Sequence, residues 1–133
     1  MDKTIYLDLN KVNLYGWEKK KSDLVIDSIV RGIEADDNFE DPVLVYRIDE
    51  NTYQLTLEEN YYGEIDCGHR RAVGHYIANK PLKCVIVGHL PALSKKVRDQ
   101  DVFNIKDTIL EDDDKMPFFD QYTFVKKVDP KYR

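Results

Sequence analysis

The stretch DCGHRRAVGHY, residues 66–76, gathers an acid, a thiol, two histidines and two arginines around two glycines. The chain before it reads as a strand that ends at Asp66. After it, Ala72, Val73, Tyr76 and Ile77 recur on one face of a helix that Asn79 and Pro81 stop. A strand, one glycine and then a basic helix is the geometry of an anion site. The first amides of a helix lack intrahelical acceptors and form the positive end of its dipole. Gly68 leaves room for a ligand to approach the backbone, and His69, Arg70 and Arg71 add donors. Arginines in a first turn oppose the usual preference for acids there, which points to an anion. The other reading has Arg70 and Arg71 solvated and paired with Asp66 or Glu64.

Upstream, TIYLDLNKV (4–12) alternates Ile5, Leu7 and Leu9 as a strand does, and GWEKKK (16–21) interrupts it as a basic, polar loop. A helix begins at Ser22 or Asp23, either of which can cap it, and carries Leu24, Val25, Ile29 and Ile33 at helical spacing. Gly32 offers an early end, with an acidic loop following. After Pro42, VLVYRI reads as a buried strand, and NTYQLTL (51–57) as its partner. LKCVIVGHL (82–90) is the clearest strand of the chain. Val102, Ile105 and Ile109 predict a helix near 101–111, and Phe118, Phe119, Tyr122 and Phe124 make the tail too aromatic for full disorder. The expected order is β-α-β-β-β-α-β with a helical appendage.

Two further chemistries compete for the quoted stretch. Zinc would need ligands from Cys67, His69, His75, Cys84 and His89, but structural zinc sites show tight ligand pairs and only Cys67 and His69 are close. Cys84, in an apolar strand, reads as a small buried hydrophobe. Cys67 as nucleophile would have its thiolate favoured by the helix terminus and nearby cations. A cysteine after a strand more often simply packs.

The bulk properties narrow the field. The 133 residues suit one compact unit, 42% hydrophobic and 34% charged. A formal charge of −5 argues against a protein that coats nucleic acid, whose phosphates require a basic field. A local basic spot can still hold one small anion. No run nears the roughly 20 apolar residues that span a bilayer, and the acidic N-terminus does not resemble a signal peptide. Two cysteines without such a signal read as reduced thiols in a cytoplasmic protein.

LVIDSIVRG (24–32), EDPVLV (40–45) and CGHRRAVGHY (67–76), in this order and followed by PLKCVIV, resemble the ParB/sulfiredoxin family. The last stretch is similar both to the G-E-R-R-x-x-A box of ParB and to the G-C-H-R-x-x-A box of sulfiredoxin. The resemblance covers about residues 5 to 88. It implies an α+β fold, a small mixed sheet with flanking helices. Residues 1–90 would form the family domain, and 91–133 a C-terminal helical extension packed on it. Members bind a nucleotide at the helix after the glycine box: ParB proteins hydrolyse CTP, sulfiredoxins use ATP to phosphorylate a cysteine sulfinate, and archaeal relatives phosphorylate free serine.

Carried over by position, Gly68, His69, Arg70 and Arg71 would grip phosphates, with Lys21 and Ser28 facing the nucleotide from the first helix. The implied cofactor is ATP or another nucleotide with Mg²⁺. Phosphoryl transfer needs positioning, charge neutralisation and a base. Glu40, Asp41 and Asp66 are the carboxylates placed to bind the metal or accept a proton. Two departures matter. Sulfiredoxin has its reactive cysteine where this chain has Gly68, so Cys67 is out of register. ParB has glutamate at His69 and a following helix-turn-helix region, whereas residues 89–133 here are not basic, which disfavours sequence-specific DNA binding. The expectation is a nucleotide-dependent phosphotransferase or NTPase. The alternative is a non-catalytic module that docks a protein partner.

Overall fold

The computed structural model describes residues 3–35, 42–57 and 68–111. The order is β1 (Lys3–Leu7), β2 (Asn13–Gly16), β3 (Lys20–Ser22), α1 (Asp23–Glu34), β4 (Val43–Asp49), β5 (Thr52–Leu55), α2 (His69–Ala78) and β6 (Leu82–His89). The short elements β7 (Lys96–Val97), β8 (Gln100–Asp101), β9 (Phe103–Asn104), a 3₁₀ turn (Ile105–Asp107) and β10 (Ile109–Glu111) follow. Six strands form one mixed sheet in the order β1-β6-β4-β5-β2-β9. Within it β4 runs parallel to β6 and β2 parallel to β5, and the other neighbours are antiparallel.

Alternation sets the inner face. Leu7, Val43, Val45, Tyr53, Leu55, Leu82 and Cys84 point from the strands into one core, where Ile26 of α1 and Ala72 and Val73 of α2 meet them. The β1 strand stops short of the alternation expected to reach Leu9. Asp8 accepts from the Asn10 N–H through its side chain at 3.0 Å and from Lys11 and Val12 through its carbonyl. Such Asx turns compete with a strand. Leu9 is buried nonetheless.

Helix α1 is capped by Ser22, whose Oγ accepts from the Val25 N–H at 3.3 Å. It does not end at Gly32 but runs to Glu34, where the Ala35 N–H closes on the Arg31 carbonyl. Gly74 lets α2 lie close on α1, because a Cβ there would come within 2.6 Å of an Ile29 methyl. Helix α2 ends at Asn79 in the left-handed region, its N–H bonded to the Tyr76 carbonyl at 3.2 Å. Ile77, expected on the inner face with Val73 and Tyr76, is 48% exposed.

Two larger expectations fail as well. Residues 16–21 are not a plain polar loop: Gly16 ends β2, Lys20 and Lys21 belong to β3, and Trp17 and Lys21 are buried. Nor do residues 101–111 form a helix or a helical appendage. Ile105 alone of the three spaced apolar residues is buried, in a 3₁₀ turn held between β9, paired with β2, and β10, paired with β3. Strand pairing and one anchored side chain satisfy this segment better than a helix with one buried residue per turn. The strand expected to end at Asp66, the acidic loop after α1 and the aromatic tail lie outside the described residues.

Candidate functional site

Of the predicted site residues, Gly68, His69, Arg70 and Lys21 meet at the start of α2. Gly68 is its N-cap, with φ at +79° and no side chain to accept an amide, and the first turn holds no acid. The glycine has two structural reasons. The left-handed backbone disfavours any Cβ, and one placed there would lie 2.8 Å from both methyls of Val43. The space is therefore used by β4, not by a ligand.

His69 turns its ring inward. Buried beside Trp17, its Nε2 accepts the Trp17 backbone N–H at 3.0 Å, and the two rings meet edge to face at 4.6 Å. An accepting Nε2 in a neutral ring puts the proton on Nδ1, which faces Glu18 Oε1 at 3.8 Å, too long for a hydrogen bond. Burial first, and then the charge of Lys21, push the His69 pKa down to about 3, so the ring is neutral at neutral pH. Gly16 is required beside it: a Cβ there would sit 2.4 Å from His69 Nε2.

Lys21 is the least expected member. Its side chain is only 2% exposed, and its ammonium pairs with Glu18 three residues earlier. A buried ammonium is costly unless paired. Burial would raise the Glu18 carboxyl, but the charge and hydrogen bond of Lys21, helped by Arg70, hold it below its ordinary range. Glu18 is thus an ionised acid at the centre of a basic cluster. Neither it nor Trp17 was singled out in the sequence, although a tryptophan inside a lysine-rich segment is itself a sign of burial, and Glu18 and Lys21 stand at pairing distance.

The other predicted residues separate. Arg70 belongs with the cluster, and its charge acts on Glu18 and His69. Arg71 is half-buried on another side of α2, where its charge acts on His75 and Cys84. Ser28 lies half-buried in the second turn of α1. Glu40, Asp41, Asp66 and Cys67 lie outside the described residues. Burial pushes the Cys84 thiol up to about 12, and its Sγ contacts the Leu82 carbonyl, so it is packing material and no thiolate. A cleft of about 220 Å³ lined by Asp8, Asn10, His75, Asn79 and Lys80 among others opens at the opposite end of α2. That end carries the negative pole of the helix, which disfavours an anion there.

Among the described residues no group of three or more histidine, cysteine and acidic side chains could hold a metal, and no helix is long and apolar enough to cross a membrane. No protein-family model, curated protein or solved structure matches the chain.

Proposed function

We propose that this chain binds the phosphates of a nucleotide at the N-terminus of α2, in the manner of the ParB/sulfiredoxin family that its sequence resembles. One observation carries the reading: two cations, the buried Lys21 and Arg70, gather at a helix start that has neither a side-chain cap nor an acid in its first turn. Such an end offers oriented amides and the positive pole of the dipole, and both favour a phosphate. Arg70 and the amides of the first turn are the donors. Lys21 supplies charge from behind, and the His69 ring acts as a strut that fixes residues 16–18 against the helix. The mixed α+β sheet is compatible with the family fold. Phosphoryl transfer or NTP hydrolysis with Mg²⁺ would draw its carboxylate from Glu40, Asp41 or Asp66.

A thermal-shift panel of ATP, ADP, CTP and GTP, with and without Mg²⁺, tests the reading. A nucleotide at about a hundred times its Kd stabilises the native state by about 2.7 kcal/mol. Arg70→Ala should remove most of that shift while leaving the unliganded melting temperature near wild type. A panel in which no nucleotide shifts the transition refutes the proposal.

A further inference from the structure

Glu18 has no place in the phosphate reading, yet its carboxylate occupies the middle of the cations on which that reading depends. We propose that Glu18 is a built-in competitor for the site, a carboxylate that pairs with Lys21 and must turn away from it when a ligand phosphate arrives. The inference rests on the phosphate reading of α2 and adds the way in which that site is controlled.

The geometry distinguishes a fixed cation from a movable acid. Lys21 is held at both flanks. It sits in β3, where it pairs in register with Leu110 of β10. The Ile109 N–H bonds the Lys19 carbonyl at 2.8 Å on one side. On the other, Ser22 caps α1. Lys20 Nζ adds an ion pair to Glu111 at 3.4 Å. The Lys21 backbone is therefore held on both sides, and its side chain is buried.

Glu18 stands outside any strand, in the connection between β2 and β3, and its side chain is 33% exposed where that of Lys21 is 2% exposed. Its backbone is held through Trp17, tied to His69, so the carboxylate can leave by rotating about its own side-chain bonds without disturbing the fold. Toward it face Lys21, His69 and Arg70, of which His69 is neutral. Among the described residues Glu18 sets one negative charge against those of Lys21 and Arg70. Withdrawing the carboxylate removes that negative charge from beside the positive pole of α2. A phosphate that replaces it restores the balance. An internal acid of this kind keeps the buried ammonium paired and raises the ligand concentration needed for binding.

The test compares the full chain with Glu18→Gln, using inorganic phosphate and ATP as probes in low-salt buffer. Glu18→Gln should melt below wild type without phosphate, regain the difference as phosphate is added, and bind ATP tighter by on the order of fivefold, as fits loss of competition from a partly exposed pair. Wild type that binds ATP while Glu18→Gln binds it no tighter overturns the competition alone. If neither protein responds to either probe, both proposals fall. Should Glu18→Gln not fold, the Glu18 carboxyl carbon of wild type is followed by NMR during a phosphate titration. A shift toward the position of a solvated glutamate supports displacement, and an unmoved resonance contradicts it.

Discussion

The two helices of this fold begin in opposite ways. α1 follows every rule for a stable start: a serine cap, aspartate at its first position, and Arg31 near its negative end, paired with Asp27 at 2.6 Å. α2 starts without the first two. Its cap is a glycine without a side-chain bond, its first turn has no acid, and two arginines stand at the pole that repels them. The two helices pack on each other, and the starts differ in burial too: Asp23 and Leu24 are exposed, whereas Gly68 and His69 are buried. One molecule thus holds a helix start with a side-chain cap and an acid and another with neither, and the second is the one on which the phosphate proposal rests.

The comparison breaks most severely at Gly68. Gly68→Ala adds a left-handed cost of about 1–2 kcal/mol to an overpacking cost of about 1–3 kcal/mol against Val43. The midpoint of denaturant unfolding should fall accordingly. A variant within about 0.5 kcal/mol of wild type would show that α2 can start another way.

Acid comes next. His69 ordinarily titrates near 6.5, but in the fold its pKa is about 3. Between these values the unfolded chain binds a proton that the folded chain refuses, so stability is complete above about pH 6.5 and is lost as pH falls toward 3. The slope contributed is about 1.4 kcal/mol per pH unit. The depressed Glu18 carboxyl acts in the same direction at the acid end of the window, below its ordinary 4.5. His69→Gln should flatten the profile of denaturation free energy between pH 4 and 6.5, and an unchanged slope would remove His69 from the account.

The conventional helix yields smaller effects. Ser22→Ala, which removes the cap of α1, should cost about 1 kcal/mol and leave phosphate affinity unchanged if the two helix starts are independent in function. Arg31→Ala breaks a pair whose side chains are 77% and 49% exposed, and thermal melts should move by no more than about 0.5 kcal/mol.

Which parts of the molecule the sequence disclosed follows from how local their causes are. The start of α1 at Ser22, helix α2 with its stop at Asn79 and the strands β4, β5 and β6 rest on spacing and capping within a few residues, and these were legible, whereas α1 runs past Gly32, the early end that the sequence offered. Cys84 as a buried strand residue was legible for the same reason. The segment 101–111 misled because Val102, Ile105 and Ile109 carry helical spacing, while strand pairing to β2 and β3, a long-range cause, decides its structure. The hairpin before it gave no signal either. Arg98 and Asp99 take positive φ values of 50° and 61° at a tight turn where asparagine and glycine are the usual marks. The glycine box gave the start of α2 but not the side chains that meet it from elsewhere in the chain. Glu18 and Trp17 join His69 across the fold, and Lys21 in a run of lysines reads as a solvated charge until the fold buries it.

The central claim is that the start of α2, which has neither a side-chain cap nor an acid in its first turn, receives a phosphate, and the amide resonances of residues 69–71 test it most directly. In a titration of isotope-labelled protein with ATP and Mg²⁺, the account predicts that the amide protons of His69, Arg70 and Arg71 shift progressively downfield as they become hydrogen bonded, while those of the capped first turn of α1 stay in place. Saturating ATP that leaves the three amides unmoved would contradict it.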